Sequence, residues 1–148
     1  MRNFLYITTL IVALCLTACD GSMNSSINGY PVNLDINIAA EYPHFVPDNI
    51  MQYMTFTSGR LLSDRVGYGG ILVITGLDAK YHAFDLSCPV ECRRDIRVEV
   101  DGLFAVCPMC GEKYDIFYGI GNPTQGIAHE TLRRYTCLYT NGILHVTQ

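Results

Sequence analysis

Val106-Cys107-Pro108-Met109-Cys110-Gly111-Glu112-Lys113-Tyr114-Asp115 is the stretch whose reading decides the fold. The apolar residues 103–106 lead into two cysteines two residues apart, with Pro between them and Gly after. Such a knuckle aims both sulfurs at one point, and its backbone N–H groups can hydrogen-bond the thiolates. A second knuckle lies upstream, Ser87-Cys88-Pro89-Val90-Glu91-Cys92, where a strand-like run over residues 81–86 ends. Fourteen residues separate Cys92 from Cys107, and Asp101-Gly102 inside that span predicts a hairpin that folds the two knuckles together. Four sulfurs, Cys88, Cys92, Cys107 and Cys110, are enough for tetrahedral Zn²⁺ or for iron.

Outward from the knuckles the signals are those of strands and tight turns. Residues 31–38 alternate apolar and polar at period two, the pattern of a half-buried strand. Pro43 and Pro47 break the next stretch into loop, and residues 50–57, apolar and aromatic, read as a further strand. Residues 71–75 and 81–85 flank a turn at 76–80, and 96–100 and 103–106 flank Asp101-Gly102. Residues 135–140 and 143–146 flank Asn141-Gly142. Asp-Gly and Asn-Gly suit a type I′ turn, whose two central residues both need positive φ. Past the N-terminal segment, no run of ten or more residues shows a 3.6-residue period, so the expected fold is all-β. Residues 31–148 then form one small antiparallel domain, a sandwich or barrel with the two cysteine knuckle loops capping one end. Cys137, between Thr136 and Leu138 in mid-strand, reads as a small buried hydrophobe.

The N-terminus carries an address. Arg2 supplies a positive start, residues 4–16 are apolar apart from Thr8 and Thr9, and small residues precede a cysteine. Leu16-Thr17-Ala18-Cys19 resembles the lipobox of bacterial lipoproteins, which are cleaved before the cysteine and acylated on it. The apolar stretch is shorter than the roughly 20 residues of a membrane span, so acyl chains on Cys19 are the expected anchor. Residues 1–18 are then a signal peptide, and residues 19–30, small and polar after Cys19, a tether. Processing leaves 130 residues and, with Arg2 gone, nine basic against fourteen acidic residues, a net charge of −5. That charge has no footprint for nucleic acid. The expected location is the bacterial cell envelope, with the membrane as one partner through the lipid and an envelope redox or binding protein as another. Export also places the cysteines where disulfides form, so paired or crossed bridges among the four knuckle cysteines stand as the metal-free alternative.

Over residues 66–146 the order of features resembles a Rieske domain, which implies a small antiparallel Rieske-like sandwich or barrel whose two knuckle loops form a rubredoxin-like cluster subdomain. In that family a strand leads to a first loop with a C-x-H core, and a hairpin reaches a second loop, C-P-x-H-G-x-x-[FY]-D. A Gly-Pro-Ala turn then covers a 2Fe–2S cluster. Tyr81-His82-Ala83-Phe84-Asp85-Leu86-Ser87-Cys88 is similar to the approach to loop one, and residues 106–115 to loop two over nearly its whole length. Gly126-Ile127-Ala128 stands where the covering turn would be. The ligands differ. Val90 occupies the first histidine position and cannot bind metal, Cys110 occupies the second and can, and His44, His82, His129 and His145 fall on no ligand position. Met109 stands where the family's loop-linking disulfide would need a cysteine.

Three functions follow from different classes. The resemblance implies an electron carrier with an all-cysteine 2Fe–2S cluster, shielded by Ile127, its potential lowered by the added thiolate charge toward roughly −400 mV. The spacing alone suits a mononuclear Cys₄ zinc staple on a binding module. A disulfide-linked interaction domain is the third. No Ser–His–Asp or paired-carboxylate set is recognisable, so no intrinsic catalysis is expected, and Glu91, Glu112 and Asp115 beside the knuckles read as solvated loop.

Overall fold

A computed structural model describes residues 25–27 and 29–148. The expected signal peptide, residues 1–18, and Cys19 lie outside the described residues. Strands β1 (Val32–Asn37), β2 (Tyr53–Phe56), β3 (Arg65–Val66), β4 (Ile71–Thr75) and β5 (Tyr81–Asp85) occupy the first half. The second half holds β6 (Glu99–Asp101), β7 (Phe104–Val106), β8 (Lys113–Asp115), β9 (Asn122–Gln125), β10 (Arg134–Thr140) and β11 (Ile143–Thr147). The all-β expectation is met. Among the described residues the one departure is a single turn of helix, α1 (Ile38–Glu41), where the Asn37 side chain accepts the Ala40 N–H at 3.1 Å and so caps the turn.

All strand pairs are antiparallel, in two sheets: a seven-stranded sheet in the order β2-β4-β5-β10-β11-β1-β3, and a four-stranded sheet β6-β7-β8-β9. Val32, Leu34 and Ile36 of β1 alternate inward as period two requires, and they share one core with Ile71 and Val73 of β4. Phe56, at the opposite edge of the strand order, lies in that same core. The large sheet therefore curls on itself toward a barrel.

β4 explains how the second sheet is attached. Its five residues are all buried, because Ile71 and Val73 face the barrel interior while Leu72 and Ile74 face outward into a second core. Phe84 of β5 joins them there, against Ala105 of β7, Tyr114 of β8 and both Cys88 and Cys107. A run buried on both faces reads as continuously apolar, and this run marks the strand between two layers.

Two turns test the hairpin readings. Thr140 pairs with Ile143 across Asn141-Gly142, with φ +50 and +81, as a type I′ turn requires. The other hairpin differs from expectation. Asp101 pairs with Phe104, so the turn is Gly102-Leu103, and only Gly102 has positive φ, at +59. Glycine in the first central position fits the II′ alternative. β3, β8 and β9 were not legible as strands. β9 contains Pro123, which is tolerated because β9 is an edge that pairs only with β8.

Candidate metal centre

Both cysteine loops leave strands that belong to the second core, so they emerge side by side at the free end of the small sheet. Loop one is aimed by Asp85. Its buried carboxylate accepts the N–H groups of Tyr68 (2.8 Å), Gly69 (3.0 Å) and Ser87 (2.8 Å) and the hydroxyl of Tyr135 (2.7 Å). Four donors on one buried carboxylate hold the chain rigidly two residues before the first knuckle. Cys88 N–H then reaches the Ile96 carbonyl at 3.3 Å, and Cys92 N–H closes the turn on the Cys88 carbonyl at 2.9 Å. Loop two closes in the same manner, with Gly111 N–H on the Cys107 carbonyl and Cys107 N–H on the Glu112 carbonyl, both 2.9 Å. Gly111 sits at φ +74, which the turn requires.

The sulfurs of Cys88, Cys107 and Cys110 all lie within 4.8 Å of one another, and Cys88 Sγ to Cys110 Sγ is 3.7 Å. Cys88 and Cys107 are buried and Cys110 half-buried. Burial pushes the Cys88 thiol up, while the Tyr114 hydroxyl, 3.5 Å from its sulfur, and the N–H groups of Glu91 and Val90 favour its thiolate. Cys110 is pushed up to about 12, again chiefly by burial, against the Glu112 N–H that favours the thiolate. Three thiols thus share a pocket that disfavours isolated negative charge yet presents donors to each outer sulfur. Thiolates formed there would be stabilised by a bound cation.

Cys92 is not brought into the trio. It has a left-handed backbone, φ +50, and its Sγ donates instead to the Pro89 carbonyl at 2.8 Å. It is exposed, and like the other four described cysteines it is a free thiol. Cys137 lies elsewhere, half-buried on β10 against the barrel core, its thiol pushed up to about 12 by burial. None of the four histidines belongs to the sulfur group. His145 is bonded to Asp35 and His82 to Asp78.

Two residues beside the knuckles have roles their sequence context did not announce. Glu112 is not solvated loop but almost wholly buried, and its carboxylate accepts the Ala128 N–H at 2.9 Å, tying loop two to the covering turn. A Cβ at Gly126 would sit 2.3 Å from that carboxylate, and Gly126 has φ +104, so only glycine fits. Tyr114 is fully buried, with its hydroxyl on Cys88 and burial raising its pKa. The motif position of Tyr114 was legible; a lone Glu after a glycine carries no signal. Within the turn, Ala128 packs into the second core, whereas Ile127, expected to shield the site, points outward and is 66% exposed.

The donor set decides which metals fit. A tetrahedral ion with metal–sulfur bonds of about 2.3 Å holds its sulfurs about 3.8 Å apart. The Cys88–Cys110 pair has that spacing, and all three sulfurs lie close enough together to serve one such ion. A two-iron cluster needs a pair of ligands on each iron, so it fits only if Cys92 turns its thiol away from Pro89 to supply the fourth.

The layout is Rieske-like: a small sheet on a larger curled one, two loops at its tip and a turn fastened over them. Comparison with solved structures finds similarity to seven chains, and three of these are each 15% identical. One comes from the complex of reduced oxygenase and oxidized ferredoxin in carbazole 1,9a-dioxygenase, covering 69% of this chain and 87% of that one at a TM-score of 0.46. Another is the Sphingomonas yanoikuyae B1 ferredoxin, at 70% and 93% coverage and a TM-score of 0.44. The third is the ferredoxin of carbazole 1,9a-dioxygenase from Nocardioides aromaticivorans IC177, at 80% and 97% and 0.43. No protein-family model and no curated protein matches the chain.

Proposed function

We propose that this is an envelope lipoprotein, anchored through acylated Cys19, whose Rieske-like domain carries a thiolate-bound metal. Cys88, Cys107 and Cys110 would hold the ion. The observation that carries this reading is the convergence of three sulfurs within 4.8 Å at the tip of the small sheet. Their compactness supports a single tetrahedral ion, zinc or iron, with the fourth position left to Cys92 or an outside ligand. A bound ion would neutralise the thiolates and staple the two loops; if iron, it would also supply one-electron chemistry. The chain's own contribution is the rest: Asp85 aims loop one, Tyr114 and the knuckle N–H groups support the sulfurs, and Glu112 holds the turn over them.

A second reading, an all-cysteine 2Fe–2S electron carrier that hands electrons to an envelope redox protein, is favoured by the retained loop-two sequence and its Tyr114 contact. Metal and sulfide analysis of full-length protein, extracted in detergent and given an absorption spectrum, separates the readings. About one metal per chain without sulfide supports the mononuclear site. Two irons with two sulfides, a coloured protein bleached by dithionite, replace it with the cluster. No stoichiometric metal, with stability lost to a reductant, overturns both in favour of disulfides.

A further inference from the structure

We propose that the cysteine tip itself docks on the bilayer that carries the lipid anchor. The inference rests on the reading of Cys19 as acylated. It comes from where the tether meets the domain. Ser25 and Ile27 are buried, and Ser26 donates both its N–H (2.5 Å) and its hydroxyl (2.7 Å) to the two oxygens of Glu130. Glu130 follows the covering turn, and Ser26 lines one cleft with Pro89, Val90 and Cys92 of loop one. The chain is therefore clasped beside the site before it runs on to β1.

Reach then limits orientation. Ser25 is six residues from Cys19, and six extended residues span about 20 Å at most. A domain of this length is roughly 35 Å across. An anchor that short, fastened at the tip, keeps the tip next to the membrane surface and the far end of the barrel away from it.

The surface presented there suits a bilayer. Val90 of loop one, Met109 of loop two and Ile127 of the covering turn are exposed by 36%, 64% and 66%, one apolar side chain from each tip segment. Beside them the Tyr30 and Tyr68 rings pack at 4.5 Å with the Arg94 guanidinium over both, and the Tyr68 hydroxyl donates to the Cys92 carbonyl. Apolar tips flanked by tyrosine and arginine match the chemistry of the headgroup boundary. The occupant is the bilayer, and the thiol site would face it.

The chain contains no tryptophan, so a single introduced one reports alone. Ile127→Trp marks the tip. Leu138→Trp, also exposed, marks β10, which runs away from the covering turn. Full-length acylated protein carrying either change is reconstituted into phosphatidylethanolamine–phosphatidylglycerol vesicles with brominated acyl chains. Both should float with the vesicles, and Ile127→Trp should lose about half of its emission and shift to the blue while Leu138→Trp is unchanged. Flotation with no quenching at 127, or equal quenching at both positions, overturns the docking while leaving the anchor intact. Failure to float removes the anchor reading and the proposal with it.

Discussion

The curled sheet and the small sheet are both antiparallel hairpin assemblies, yet they are held together by different chemistry. The barrel core is aliphatic and aromatic, with Leu34, Ile36, Ile71 and Leu144 fully buried and no cysteine among its buried members. The small sheet has three-residue strands apart from β9, and its core includes Cys88 and Cys107, with Tyr114 and the buried Glu112 beside them. Apolar burial suffices for the first. The second adds buried thiols, a phenol and a carboxylate to its apolar members, groups that each need a partner, which Tyr114 finds on Cys88 and Glu112 on Ala128. The comparison separates an apolar scaffold from a layer whose core mixes apolar packing with paired polar groups.

Removing one sulfur breaks the comparison most sharply. Cys107→Ser should abolish metal binding, and hydrogen exchange should accelerate across β6 to β9 while β1 and β11 stay protected. Loss of protection in the barrel as well would show that the two regions are one cooperative unit. The converse substitution is Leu34→Ala, expected to cost about 2–5 kcal/mol in urea unfolding, with metal content per folded chain unchanged. Glu112→Gln tests the fastening of the covering turn. Weakening the buried bond to Ala128 should cost about 1–3 kcal/mol and speed metal loss to a chelator. Cys137→Ser, on the barrel side, should cost about 1 kcal/mol through packing and leave metal content intact.

The smallest effect is a pH effect on the barrel side. Asp64 accepts the N–H groups of Leu61 and Arg60, which hold its carboxyl below the usual value. A lowered folded pKa contributes stability that is present above the unfolded value of about 3.8 and is lost as pH falls through the folded one. Comparing urea midpoints at pH near 7 and near 3 for the native chain and for Asp64→Asn should show the native chain losing the larger share.

Residues in the chain announced the strands other than β3, β8 and β9, two of the three expected hairpins in their register, and the two knuckles, because alternation, Asn-Gly turns and cysteine spacing are local patterns with local causes. The continuous burial of β4 was visible as an apolar run, but which residue faced which core was not. Spacing also placed Cys88, Cys107 and Cys110 near one another and could not distinguish them from Cys92. Only the tertiary structure decided that, because a left-handed residue at the end of loop one sends the Cys92 sulfur to the Pro89 carbonyl. It decided likewise that Glu112 is buried, that Ala128 rather than Ile127 turns inward, and that Ser26 meets Glu130 across 104 residues of chain. Such contacts depend on where distant segments come to rest, and a side chain's neighbours across a fold leave no periodic trace in its own stretch of sequence.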